Sequence, residues 1–203
     1  MSFSSHDASI KHNAAFFDVI KNDRTSISGE VVLRSTEQVT KPFVKKHFRL
    51  GTMPSGSNIK AGNLLKRNDL NYLVLETTEN FDSEKIAFID SGIWKTNFSG
   101  EIRRYVTVKT DISQTDTDIL IESDVLGVLN EIFALLIDRQ PGEIEVGKWG
   151  MFMPGYVSGE IGDQVIFNSG EIDRYDKFRI ATVDKGITFT GVKFVTLEND
   201  TRD

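Results

Sequence analysis

One stretch of the chain comes close to a phosphate-binding loop, and its departures from that motif decide the interpretation. Residues 142–149 read Gly-Glu-Ile-Glu-Val-Gly-Lys-Trp. A phosphate-binding loop carries a Ser or Thr after its lysine to hold Mg²⁺, and Trp149 stands at that position. Glu143 and Glu145 would repel the phosphates that such a loop surrounds. We therefore interpret the stretch as a strand with exposed carboxylates and predict no nucleotide site.

The other side chains capable of chemistry are scattered. Residues 116–118 (Asp-Thr-Asp) resemble part of a Ca²⁺ site, but the glycine and bidentate glutamate of a calcium-binding loop do not follow, so a solvated segment is favoured. The histidines, at 6, 12 and 47, lack metal-ligand spacing, and neither Gly-x-Ser-x-Gly nor His-Glu-x-x-His occurs. A hydrolytic carboxylate pair stays open as an alternative, with candidates such as Glu171, Asp173 and Asp176. We predict no catalytic, cofactor-binding or metal-binding residue, and no enzyme activity.

Composition narrows the class of protein further. The 203 residues include no cysteine, which excludes disulfides, a thiolate nucleophile and Cys-ligated metals. The apolar runs are too short to cross a bilayer and no secretory signal opens the chain, so no membrane partner is predicted. With 30 acidic and 24 basic residues, the net charge of −6 argues against a protein that grips nucleic acid through its phosphates. The compact basic pairs, Lys45-Lys46 and Arg103-Arg104, are interpreted as solvated, with an acidic partner or DNA as the alternative.

The pattern along the chain predicts a mainly β protein made of two small antiparallel barrel or sandwich units. Residues 7–22 predict a short N-terminal helix, with Ile10, Ala14 and Phe17 on one face, within an arm covering residues 1–24. From residue 27, short alternating segments are separated by turn formers, which is typical of barrels and sandwiches. The polar run 110–118 is the predicted linker, so the β units are expected at 25–112 and 119–203. Residues 125–137, apolar almost all round, fit a buried helix or strands, and we favour strands.

A short phrase occurs twice. Residues 59–65 read Ile-Lys-Ala-Gly-Asn-Leu-Leu, and residues 160–166 read Glu-Ile-Gly-Asp-Gln-Val-Ile. In both, a Gly followed by Asn or Asp predicts a turn from which an apolar strand leaves, and a second alternating strand follows. We predict that Gly62 and Gly162 are structural turn glycines and that the two units are repeats. The turn-rich segment before the first copy is predicted to be a loop long enough to reach a partner; it consists of Thr52, Met53, Pro54, Ser55, Gly56, Ser57 and Asn58.

The second copy of the phrase resembles a family. With the Tyr-x-x-Phe-x-Ile strand at 175–180 and the closing Val-Asp-Lys-Gly at 183–186, it looks like the small β-barrel proteins of tailed-phage necks. These are the stopper, or head-completion, proteins of the head–tail connector. The first copy, followed by Tyr72-Leu73-Val74, resembles a second instance. Such stoppers are usually single barrels and lack the predicted N-terminal helix, so an adaptor, tail-completion or baseplate role is nearly as compatible.

The resemblance implies a structural protein of the virion, assembled in the cytoplasm of the bacterial host, without cofactor. Copies would form a homo-oligomeric ring between the portal or adaptor and the tail with its terminator protein, help close the DNA channel and join head to tail. DNA would pass without sequence-specific binding, repelled by a carboxylate-lined lumen that residues 52–58 would face. Two alternatives stay open: a carboxylate-based hydrolase, and a β-sandwich module that binds carbohydrate or protein through exposed aromatics such as Trp94, Trp149 and Tyr156.

Overall fold

The computed structural model describes residues 14–35, 48–109, 114–131, 149–170, 177–184 and 191–200. The first six strands are β1 (Ala15–Ile20), β2 (Ser26–Ser35), β3 (Phe48–Pro54), β4 (Leu64–Arg67), β5 (Leu70–Asp82) and β6 (Lys85–Lys95). The next six are β7 (Phe98–Lys109), β8 (Gln114–Glu131), β9 (Trp149–Pro154), β10 (Gln164–Gly170), β11 (Lys177–Asp184) and β12 (Val192–Asn199). The predicted mainly β class is confirmed.

The strands form two closed barrels. Around the first barrel the order is β1-β2-β3-β6-β5-β4, and β4 pairs antiparallel with β1. Around the second barrel the order is β7-β8-β9-β12-β11-β10, and β10 pairs antiparallel with β7. Every strand of the first barrel thus has a counterpart six strands later in the chain. The two barrels share one topology, as expected for a repeated unit.

The first barrel has its own apolar core. The rings of Phe17 and Tyr72 meet edge to face, with centroids 6.0 Å apart. Each fully buried side chain of this size stabilises the fold by about 1.5–3 kcal/mol. The buried cluster comprises Phe17, Val19, Val32, Met53, Ile59, Leu65, Tyr72, Val74, Ile89 and Ile93.

The second barrel has a separate core around Gly159. A methyl group placed on Gly159 would lie 3.2 Å from Ile102, 3.3 Å from Ile180 and 3.9 Å from Met153. These three side chains therefore converge inside the barrel. Other fully buried side chains of this unit are Met151, Val165, Phe178, Val195 and Leu197.

The predicted N-terminal helix over residues 7–22 is wrong where the structure describes it. Residues 15–20 form β1, with Phe17 and Val19 buried and Phe16 and Asp18 exposed. This alternation has the period of a strand. Residues 7–13, the rest of the predicted helix that precedes the strand, lie outside the described residues.

The predicted domain boundary is also wrong. The two units divide at Thr96 and Asn97, and short segments at 154–156 and 191–192 group with the first unit. The backbone N–H of Thr96 donates to the carbonyl of Asn71 at 2.9 Å, whereas the side chain of Asn97 bonds to the backbone of Leu129 at 2.7 and 2.8 Å. Residues 114–118 of the predicted linker instead belong to β8, since residues 115–118 pair with residues 105–108 of β7. The division at 25–112 and 119–203 therefore places β7 in the wrong unit.

The ambiguous apolar segment 125–137 begins as a strand, which confirms the strand interpretation for residues 125–131. Val128 pairs with Phe152 and Leu129 with Met151. Adjacent residues of a strand point to opposite faces, and both Val128 and Leu129 are buried. Burial on both faces explains why the segment is apolar all round. Residues 132–137 lie outside the described part.

Candidate functional site

The first copy of the repeated phrase forms a turn that leads into β4 and is hydrogen-bonded to β5. Gly62 has φ of +85°, in the left-handed region that favours glycine. Its N–H donates to the carbonyl of Val74 at 2.7 Å, and the N–H of Val74 donates to the carbonyl of Asn63 at 3.0 Å. The buried side chain of Asn63 accepts from the N–H of Lys60 at 2.9 Å. Gly62 therefore lies in a turn whose backbone conformation favours glycine.

The second copy repeats this arrangement bond for bond. Gly162 has φ of +93° and donates to the carbonyl of Ile180 at 2.8 Å. The N–H of Ile180 donates to the carbonyl of Asp163 at 2.9 Å, and the buried Asp163 carboxylate accepts from the N–H of Glu160 at 2.9 Å. Gly162 therefore lies in the same kind of turn as Gly62. The phrase thus encodes one local structure that is used twice.

The electrostatics of the two turns differ. Asp163 forms a bidentate ion pair with Arg104, at 2.8 Å to Nε and 3.0 Å to Nη2, and Glu160 lies 2.8 Å from the same guanidinium. Asp163, followed by Glu160, raises the pKa of Arg104 above its ordinary range. In the first barrel Ile20 pairs with Leu64 as Arg103 pairs with Gln164 in the second, so Lys21 follows in the chain at the position that corresponds to Arg104, and the neutral Asn63 corresponds to Asp163.

The basic pair Arg103-Arg104 is engaged within the second barrel. Besides the contacts of Arg104, the Nε of Arg103 lies 2.6 Å from Glu101, which raises the pKa of Arg103. The interpretation of this pair as a site for DNA or an acidic partner gains no support, because each guanidinium already has a carboxylate beside it. The pair Lys45-Lys46 lies outside the described residues.

The predicted partner loop, residues 52–58, is only partly a loop. Thr52, Met53 and Pro54 belong to β3, and the side chain of Met53 is fully buried in the first core, so the loop prediction is wrong for these three residues. The next residues are held against β2. Ser57 Oγ donates to Glu30 Oε2 at 3.1 Å, and Asn58 Nδ2 donates to Glu30 Oε1 at 3.0 Å.

A cleft of about 340 Å³ opens in the first unit beside this segment. β4 covers β5 only from Leu70 to Leu73, although β5 continues to Asp82. Ile59 and Ile89, both buried, give the cleft an apolar part, and Thr77 and Glu79 line it from β5. The rest of the lining comes from Asn22, Ser57, Lys60, Ala61 and Gly191.

Two hairpins continue beyond the strands that flank them. At the end of the β5–β6 hairpin, Phe81 pairs with Ile86, whereas β3 reaches β6 only as far as Phe88. The β7–β8 hairpin likewise continues past Arg103, the last β7 residue that pairs with β10. These two-stranded ends carry exposed apolar side chains, namely Phe81, Val108 and Ile119, and Leu120 is exposed where the second one begins.

The remaining candidates add no site. The ranges that the structure covers hold no group of three or more His, Asp or Glu side chains placed to bind a metal ion. Trp94 is buried, so it does not line an open groove. The histidines, residues 142–148 and the carboxylates Glu171, Asp173 and Asp176 lie outside the described residues. Within the described ranges, no helix has the length and apolarity needed to span a membrane.

Comparison with known proteins gives no match: no family model, no curated protein and no solved structure is similar to this chain.

Proposed function

We propose that this chain is a structural protein of a tailed-phage neck. Its copies would form a ring between the portal or adaptor and the tail, help close the DNA channel and join head to tail within the virion. The observation that carries the proposal is the repeated turn. The Gly-[Asn/Asp] phrase, on which the resemblance to neck proteins rests, builds the same four hydrogen bonds in two barrels of one topology.

The hairpin ends support assembly by giving each copy surfaces for its neighbours. Phe81 is 61% exposed at the end of the β5–β6 hairpin, and Val108 and Ile119 are exposed on the other hairpin. Exposed apolar side chains at such projecting ends are suited to contacts with another chain. Because the two ends differ, a contact between them would be head-to-tail, the type of interface that closes into a ring.

The exposed part of the predicted partner loop would face the lumen or contact a neighbouring ring. Gly56 and Asn58 are exposed, and a side chain added to Gly56 would meet nothing within 4 Å. A large residue at Gly56 is therefore compatible with the fold while it obstructs a partner. DNA would pass without sequence-specific contact, kept mobile by the acidic excess that gives the chain its net charge of −6.

Light scattering and negative-stain microscopy of the purified full chain test the ring. We expect ring-shaped particles of defined stoichiometry, in isolation or when mixed with the portal and tail proteins of the same phage. A monomer under all these conditions contradicts the proposal. In an infection assay, Gly56→Arg is expected to block head–tail joining without lowering the thermal stability, with Gly56→Ala as the matched control. Full joining by Gly56→Arg would exclude the loop from the interface.

A second candidate, a module that binds protein or carbohydrate, is favoured by the cleft of the first unit. Its volume falls near the lower end of the range of small-molecule sites, about 300–1,000 Å³. A monomer that binds ligand through this cleft, and does not join neck proteins, would support that candidate over the ring.

A further inference from the structure

Among the described strands, none pairs with much of the β5 edge that faces away from β6. Val74 is the last residue that bonds to the turn, through Gly62 and Asn63. Beyond it, residues 76–82 pair with β6 on one side, and none of the described strands pairs with them on the other. A row of backbone donors and acceptors at such an edge is a template for another strand.

The cleft lies along this open edge. Thr77 and Glu79, which alternate along β5 and so point to one face, are part of its lining. Their cross-strand neighbours are Ser91 and Ile89, and Ile89 also lines the cleft together with Ile59. A strand added here would thus turn every second side chain toward an apolar surface. A cleft of about 340 Å³ has room for one or two aliphatic side chains.

The charge around this edge determines which other side chains would suit a strand that is added to it. Residues 74–90 hold five carboxylates against one lysine. Asp90 is engaged by Thr52 and Asn80, at 2.9 and 3.0 Å, and the other four carboxylates have no ion pair among the described residues. These four are Glu76, Glu79, Asp82 and Glu84.

We propose that residues 76–82 of β5 bind an extended segment of a partner protein by strand addition. In that segment, apolar side chains that enter the cleft alternate with Lys or Arg side chains that face the carboxylates of the β5–β6 hairpin. The backbone hydrogen bonds supply affinity, and the cleft and the carboxylates supply selectivity. This site is independent of the ring proposal, because it needs only the fold of the first unit.

The probe for this site is a synthetic, capped peptide of alternating Lys and Val, labelled for fluorescence anisotropy with the full-length protein. A peptide of the same composition with all Lys before all Val has the same charge but cannot alternate. We expect the alternating peptide to bind at least about tenfold more tightly, a difference of about 1.4 kcal/mol. Equal binding of the two peptides would overturn the proposal, because charge alone would then explain the affinity.

Two neighbouring threonines provide a matched pair of variants. Thr77→Trp fills the cleft, whereas Thr78→Trp places the same ring on the opposite face of the hairpin. Thr77 is half-buried and Thr78 exposed, so both variants are expected to keep the fold, which circular dichroism checks. Thr77→Trp should weaken binding about tenfold or more and Thr78→Trp by less than about twofold. The same affinity for both variants would contradict the site.

A charge reversal at an exposed position keeps the test valid if Thr77→Trp disturbs the barrel. Glu76→Arg, on the exposed face opposite Thr77, should weaken the Lys-Val peptide and strengthen a Glu-Val peptide of equal length. Hydrogen exchange completes the assay, since the bound alternating peptide should slow exchange of amides within residues 76–82. Unchanged exchange in that range, with binding observed, would place the peptide elsewhere and refute strand addition.

Discussion

On the outer faces of the two barrels, one row of positions that correspond by strand register holds side chains of different character. In the first barrel a row across β4, β5 and β6 is apolar and buried, formed by Leu64, Leu73 and Trp94. In the second barrel the row across β10, β11 and β12 is polar, formed by Gln164, Arg179 and Glu198. Here Gln164 is buried, whereas Arg179 is exposed and its Nε donates to Glu198 at 2.8 Å.

The backbone, in contrast, is retained in detail. The pairing of β5 with β6 shifts register between Val74 and Glu76, and the pairing of β11 with β12 shifts between Ile180 and Thr182, the corresponding place. Both shifts follow directly on the residue that bonds to the turn glycine. The repeated unit thus preserves the hydrogen bonds that set strand register, while its outward side chains diverge. Each barrel can therefore offer a different surface on the same frame.

Leu73 and Arg179 hold corresponding positions in the two rows, and exchanging their side-chain types should have the largest effect on the free energy of unfolding. Leu73→Arg places a charge where the side chain is fully buried, and we expect a loss of about 3–5 kcal/mol in the free energy of unfolding. Arg179→Leu removes only an exposed ion pair, so a change within about 1 kcal/mol is expected. Urea denaturation measures both. Similar costs for the two variants would mean that the outer rows are equivalent after all.

Substitution of the two turn glycines should lower the stability by different amounts, and this difference is smaller than the one between the rows. A methyl group on Gly62 would lie 1.9 Å from the carbonyl oxygen of Gly191, which is grouped with the first unit, whereas one on Gly162 would meet nothing within 4 Å. Gly162→Ala therefore costs only the positive φ, about 1–2 kcal/mol. Gly62→Ala adds a clash with backbone, and we expect about 2–4 kcal/mol. Thermal unfolding would contradict this account if Gly162→Ala were the more damaging change.

The turns could be predicted from sequence because their requirement is local. A glycine followed by Asn or Asp supplies the positive φ and the side-chain acceptor within four residues, as Gly62 with Asn63 and Gly162 with Asp163 show. The β class followed from similarly local alternation. The length of β8 did not, because residues 114–118, which begin this strand in a hairpin with β7, are polar and have the composition of a linker.

Features that depend on residues distant in the chain could not be predicted from the sequence. At β1, Phe17 satisfies both a helical spacing with Ala14 and the alternation with Val19, and only pairing with β2 and β4 selects the strand. Met53 reads as part of a turn-rich loop, but its side chain completes the first core. The cleft is lined by residues from five separate segments, and the single local signal for it is that the β5 pattern runs far past the short β4.

The ion pair at the second turn can be rebuilt at the first, which tests how far the barrels are interchangeable. Asn63→Asp introduces a carboxylate at a buried position where the second barrel holds Asp163, but Lys21 stands in place of Arg104. We expect a loss of about 1–3 kcal/mol for the single change. Adding Lys21→Arg should recover about 1 kcal/mol of it, measured as the coupling energy in a double-mutant cycle.

The pH dependence distinguishes this coupling from a change in packing. We expect burial to raise the pKa of the introduced carboxyl in the folded state above its unfolded value of about 3.9. The Asn63→Asp penalty should therefore be smallest below that pH and grow as the pH rises, because the unfolded chain releases the proton first. With Lys21→Arg the growth should be reduced, since the guanidinium favours the ionised form. A penalty that does not change with pH, or zero coupling, would mean that the Lys21 position does not reach the turn and that the Arg104–Asp163 pair is particular to the second barrel.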